Sequence, residues 1–256
     1  LGLSRRLRAQ IACERGGHGV VRLTASMEVR EYVAGVMAAE LAQSASVRRI
    51  GLGAAVLRFL AQGPRHPDAD VCDTTHCAWF VGQGPRVTWP APHRARLLQA
   101  AGDAPAIVLD DAEWDRILDA SRQPGPGLWT SHCGGHPLSP HALWGHGDAD
   151  AAACPRHGGS ETRPWVRQWT AAAIEQAFGA PVREIHIESE AGVWVLRAAG
   201  PQTSRALRYD DAHRLLARVL GWGALPSPAD RVEAVPGGFR AQGVGLGHRV
   251  GLCLGD

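Results

Sequence analysis

Hydrophobic and polar positions recur along the chain in short blocks, each of which predicts a small element. Val20-Val21-Arg22-Leu23-Thr24 alternates and reads as a strand. Ser26 follows as an N-cap, with Glu28 and Glu31 in the first turn, and Val29, Val33, Val36, Met37 and Leu41 fall on one face of a helix. A second helix is predicted over 46–62, with Ile50, Ala54, Leu57 and Leu60 inward and Gly63-Pro64 as its stop. Its glycines, Gly51 and Gly53, weaken it and permit close packing. Short apolar strands are predicted at 78–81 and 106–109, and short helices around 93–101 and over 111–120, the latter with Trp114, Ile117 and Leu118 inward. The 124–127 stretch, Pro-Gly-Pro-Gly, reads as a flexible hinge. Beyond it a helix is predicted over 165–178, a strand over 182–188 with 193–196 as its partner, and a helix over 209–220 ended by Gly221-Trp-Gly223. The last stretch, 239–255, carries glycine at alternate positions, which lets backbone or ligand approach closely.

This order predicts a mixed α/β (α+β) fold, helices packed on small mixed sheets, in two lobes flanking a groove. The lobes expected are 26–145 and 165–256, with 1–25 an N-terminal extension and 146–164, rich in Gly, Ala and Asp, a linker or exposed loop. At 256 residues the chain is long enough for one large core or two smaller ones.

Charge changes the picture little. The 27 basic residues, all of them Arg, nearly balance 25 acidic ones, so no electrostatic footprint argues for nucleic acid or an anionic membrane. No apolar run reaches the length of a membrane span. Leu1 does not open a charged-then-apolar leader, so a targeting segment or anchor is expected upstream if there is one. Nine Trp outnumber four Phe and two Tyr. Indole faces stack on sugars and bases, although most are expected to serve as core.

Candidate chemistry is concentrated in four places. His66-Pro-Asp-Ala-Asp-Val-Cys72-Asp-Thr-Thr-His76-Cys77 gathers two thiols, two imidazoles and three carboxylates in a loop. His66, Cys72 and Cys77 would ligate zinc with a fourth position for water or a carboxylate; a Cys72–Cys77 disulfide accounts for the same residues equally well. Glu40 lies three and four residues beyond Met37 and Val36, on the apolar stripe, where burial raises a carboxyl's pKa and suits it to general acid work. An ion pair with Arg48, Arg49 or Arg58 is the plainer account of such a residue. Ser131-His-Cys133-Gly134-Gly135 can be written as a cysteine nucleophile with backbone N–H donors, but it lacks a peptidase signature, and adjacency does not make a base of its His. Cys154 and His157 have the spacing of a further ligand pair, although an incidental neighbourhood is the plainer account of them. The glycines around His248 lack the helix-opening and Lys-Ser/Thr features of a phosphate loop.

Taken together, Tyr32-Val-Ala-Gly-Val-Met-Ala-Ala-Glu40-Leu, Cys72-Asp-Thr-Thr-His-Cys77, Ser131-His-Cys-Gly-Gly135 and Gly243-Val-Gly-Leu-Gly-His248-Arg-Val-Gly-Leu-Cys253 resemble, in this order, the domain family of stage II sporulation protein D and the amidase enhancer LytB. The resemblance covers residues 30 to 256. It implies a lytic transglycosylase that cuts the MurNAc–GlcNAc bond of peptidoglycan, on glycan already stripped of stem peptides, and leaves a 1,6-anhydro-MurNAc end. The family's catalytic Glu falls on Glu40, which would protonate the bridging oxygen and then take the C6 hydroxyl proton. A zinc ion, present in some members, would fall to His66, Cys72 and Cys77. Ser131, Cys133, Gly134, Gly135 and His248 would line the substrate groove. The setting implied is extracytoplasmic, with peptidoglycan strands as substrate and a cell-wall amidase as partner. The sequence departs from the family at Arg249, where Gly is usual, at Cys253-Leu254, where a Gln is usual second, and at Gly134-Gly-His-Pro, which replaces a Gly-Gly-Arg-Thr-like run. These departures bear on substrate choice and keep two other readings open: a catalytically inactive glycan-binding or amidase-enhancing module, and a zinc hydrolase centred on His66, Cys72 and Cys77.

Overall fold

The computed structural model describes residues 9–15, 21–41, 46–64, 66, 69–71, 107–151, 154, 157 and 162–255. Helices and small sheets share the chain in a mixed α+β architecture, as expected from the sequence. It divides into two compact units, Leu1–Leu128 and Trp129–Asp256. The division falls directly after the Pro-Gly hinge of 124–127, earlier than the 146–164 stretch read as a linker.

The first unit begins with an antiparallel hairpin, β1 (Gln10–Arg15) and β2 (Val21–Ser26). Ser26, expected to cap a helix, instead ends β2 across from Gln10. Helix α1 (Val29–Glu40) starts three residues later, with Glu28 at the cap position and no side-chain cap bond. Residues 32–38 of α1 are all buried, so the helix is enclosed around its whole circumference rather than along one stripe. Helices α2 (Ser46–Ala61) and α3 (Asp111–Arg122) pack closely because Gly53 has no side chain: a Cβ there would sit 2.7 Å from Ile117 Cδ1. The Asp110 carboxylate caps α3 by accepting from the Glu113 N–H at 2.7 Å. Two arginines offered by the sequence as partners for Glu40 have other work. Arg49 pairs with the buried Glu113 at 2.8 Å, and Arg58 donates to the carbonyls of Ala120, Gln123 and Pro126. Residues 107–110 are not in a strand, and α3 follows them directly.

In the second unit, the short helix α4 (Pro140–Trp144) precedes β4 (Pro164–Thr170), which runs into α5 (Ala171–Phe178) without a loop. A single helix was expected over 165–178. Trp165 and Trp169 are four residues apart, a spacing that serves one face of a helix but, being even, also one face of a strand. Pairing with β9 (Gly238–Val244) decides for the strand, and both indoles are buried on its inner face. Their N–H groups donate to Ser227 Oγ (2.7 Å) and the Ala224 carbonyl (3.0 Å). Thr170 then caps α5, accepting from the Ala173 N–H. β8 (Ala229–Val235) completes an antiparallel sheet in the order β4-β9-β8. A second antiparallel sheet joins β5 (Glu184–Glu190), β6 (Val193–Gly200) and β7 (Thr203–Leu207), and α6 (Tyr209–Leu220) follows. The core gathers Trp169, Ile174, Leu196, Leu216, Leu225 and Phe239.

Candidate metal centre

Two stretches far apart in sequence are laced together in the second unit. β3 (Trp129–Thr130) pairs in parallel with β10 (Leu252–Cys253), which sets Thr130 across from Cys253. His132 and Leu246 exchange backbone bonds of 3.0 and 2.9 Å. Gly134 fits here because it has no Cβ, which would meet the Gly245 nitrogen at 2.8 Å; its φ of +69° is also one that glycine tolerates. The Thr130 hydroxyl donates to the Leu246 carbonyl and accepts from the Arg249 N–H, both at 3.0 Å.

This lacing brings Cys133 and Cys253 together, 120 residues apart in the chain, with the Cys133 N–H donating to Cys253 Sγ at 3.3 Å. Cys154 and His157 complete the group. His157 Nδ1 lies 3.4 Å from each of the three sulfurs of Cys133, Cys154 and Cys253. One ring nitrogen can make one N–H···S bond, so three equal approaches are not hydrogen bonding. They match one vertex of a tetrahedron: zinc bonds of about 2.3 Å to sulfur and 2.0–2.1 Å to nitrogen place those atoms about 3.5 Å apart. All four ligand atoms lie within 4.8 Å of one another, and all three cysteines are free thiols.

The cluster can therefore hold a metal ion, and its surroundings suit one. Cys133, His157 and Cys253 are buried and Cys154 is half-buried. Burial pushes the Cys133 thiol up to about 12; a bond from the Gly135 backbone opposes this, while Cys253 and Cys154 add to it. Without a cation the Cys133 sulfur stays protonated and is inert as a nucleophile. The His157 ring is stacked on His132 at 4.3 Å, and His132 Nδ1 accepts from the Gly134 N–H at 2.9 Å, which fixes the stacking partner in turn.

Arg249 adjoins the cluster. Its side chain is 5% exposed, its Nε donates to the carbonyls of Cys133 (3.2 Å) and His136 (3.0 Å), and its Nη2 donates to His136 at 2.6 Å. Burial pulls this guanidinium below its usual range, against Asp230 and Cys133, which push it back. His248, next in line, is held differently. Its Nδ1 accepts from the Val250 N–H at 3.0 Å and its ring tilts against Trp144 at 5.4 Å. Burial pushes it down to about 4, opposed by a bond to the Trp129 backbone, so the ring is neutral at physiological pH.

The chain matches no protein-family model and no curated protein. The sequence-derived residues are distributed as follows. Cys133, expected to line a groove, is completely buried and turned to the cluster; Gly134 is buried, Gly135 and His248 are half-buried, and Ser131 is exposed. Glu40, half-buried, is the last residue of α1 in the first unit. His66 forms a short bridge with Ala69, while Cys72 and Cys77 lie outside the described residues. The four-residue cluster was not legible as one site. Cys154-Pro-Arg-His157 has the spacing of a ligand pair, but its two partners lie 21 residues before it and 96 beyond His157, and only the β3–β10 pairing joins them.

Proposed function

We propose that this chain is a peptidoglycan lytic transglycosylase whose general acid and base is Glu40, and that zinc occupies the Cys133–Cys154–His157–Cys253 cluster as a structural ion. The placement of Glu40 carries the catalytic half of this reading. It closes a helix enclosed over residues 32–38 and keeps partial exposure where the apolar enclosure ends.

Hydrolytic glycosidases commonly need two carboxylates, because water must be activated as well as the leaving oxygen protonated. A transglycosylase needs one. Glu40 gives its proton to the GlcNAc O4 as the MurNAc C1–O4 bond breaks. The MurNAc C6 hydroxyl closes on C1 within the same sugar and returns its proton to Glu40. Ring closure makes the nucleophile intramolecular, so proximity supplies what a second carboxylate would otherwise do. On the second unit, half-buried Trp144 beside neutral His248 has the aromatic character that packs on sugar faces.

Three sulfurs and one nitrogen form a full tetrahedral set with no position left for water, the pattern of a structural zinc site rather than a catalytic one. Zinc there would fix the β3–β10 lacing and tie residues 154 and 157 to it. This agrees with a reaction in which no water attacks.

The test is digestion of amidase-treated glycan by wild type and Glu40→Gln, with anhydro-MurNAc ends counted by mass spectrometry. Loss of about 10²–10⁴-fold in the variant is expected for a general acid. Equal product from both proteins would end the catalytic reading, and glycan binding without anhydro ends in the wild type would favour an amidase-enhancing module.

A further inference from the structure

Arg249 is one of two non-glycine residues with positive φ among the described residues, at +63°. That conformation is unfavourable for a residue with a Cβ. Its guanidinium is also taken out of water, which is expensive unless charge meets it. The partners in reach fall short of that. Among the described residues, two are neutral carbonyls, those of Cys133 and His136, and the one carboxylate, Asp230, is 55% exposed and lies 3.4 Å away. A strained backbone carrying a buried, under-compensated cation points to a requirement elsewhere.

We infer that Arg249 belongs to the metal centre, as the counter-charge to the net negative cluster that a bound dication, three cysteines and one histidine form. The inference rests on the zinc reading given above. A dication held by three thiolates and a neutral imidazole carries one net negative charge, and this charge forms against the Cys133 backbone that Arg249 grips. The loaded centre then adds a buried anionic partner to the exposed Asp230, and the guanidinium offsets the charge of the centre. The same residue is fixed at its other end, where its N–H donates to Thr130 Oγ1 on β3. One residue thus joins, by its backbone N–H, the strand that positions Cys253 and, by its guanidinium, the turn that carries Cys133. It is a positioning and charge-balancing residue and touches no substrate in this role.

The test compares wild type, Arg249→Gln, Arg249→Lys and Arg249→Gly, using zinc(II) and cobalt(II) as probes. Zinc affinity is read by chelator competition, and thiolate number by the sulfur-to-cobalt charge-transfer band. Wild type is expected to bind one ion at the cluster with a three-thiolate cobalt spectrum. Arg249→Gln is expected to lose about 10–100-fold in affinity, the range for residues that support a metal's ligands, and to show a weaker band as one sulfur keeps its proton. Lysine restores part of the affinity by restoring charge. Glycine relieves the backbone while removing the charge, so it serves where Gln does not fold, and it too is expected to bind zinc weakly. Unchanged affinity and an unchanged cobalt band in both Gln and Gly variants would overturn the role of Arg249 and leave the zinc site standing. A wild type that takes up neither ion would overturn the zinc reading, and the role of Arg249 with it.

Discussion

Burial pushes the Cys133 thiol up to about 12, so it ionises only where a metal ion replaces its proton, and the three sulfurs around His157 would hold such an ion together. Replacing any one of them should act on the whole group. Cys154→Ser, the half-exposed member, is expected to lower zinc affinity by more than about 100-fold, beyond the effect of losing a supporting residue, as read by chelator competition. His248 gives a second expectation, in pH. Its folded pKa of about 4 lies below the ordinary 6.5, so between these values the unfolded chain binds a proton that the folded chain refuses. Its contribution is therefore complete above pH 6.5 and is lost as pH falls toward 4, by about 2 kcal/mol once partial exposure is allowed for. Denaturant titrations at pH 7 and 4.5 should show this loss in wild type and a smaller one in His248→Asn. Sequence reading gave both residues chemical roles but not these surroundings. His248 was read as a sugar contact, while its Nδ1 is spent on the Val250 N–H. Such backbone partners depend on loop geometry that residue spacing does not encode.

At the scale of elements, periodicity served best where a helix packs as a helix. The predicted helices over 46–62, 111–120 and 209–220 correspond closely to α2, α3 and α6, and the 182–188 and 193–196 pair to β5 and β6. It misled at Trp165 and Trp169, where strand and helix share a spacing and only the distant β9 distinguishes them. The glycines of the second helix were read as permitting close approach, and Gly53 against Ile117 does this. Gly53→Val is expected to cost about 2 kcal/mol by overpacking that contact, offset only slightly by valine's better helix propensity; thermal unfolding measures the loss. Truncating the neighbour, Ile117→Ala, opens a cavity and should cost about 2–5 kcal/mol.

At the scale of the whole molecule, each unit has its own means of stability. The first unit, among the described residues, rests on the enclosure of α1 and the α2–α3 packing around Ile117. The second unit rests on two three-stranded sheets and a cross-link whose ligands come from three separated stretches of chain. Chelation should therefore speed amide exchange in β3, β10 and residues 132–138 before it affects α1, α2 or α3. No helix among the described residues is long and apolar enough to cross a membrane. The glycan chemistry assigned to Glu40 and the zinc assigned to the cluster stand or fall by separate experiments. X-ray absorption at the zinc edge of the purified Cys72→Ser/Cys77→Ser double variant isolates the cluster from the 66–77 loop. The result expected is one zinc per chain with three sulfurs at about 2.3 Å and one nitrogen at about 2.0 Å. A zinc-free protein, or a shell with fewer than three sulfurs, would contradict it.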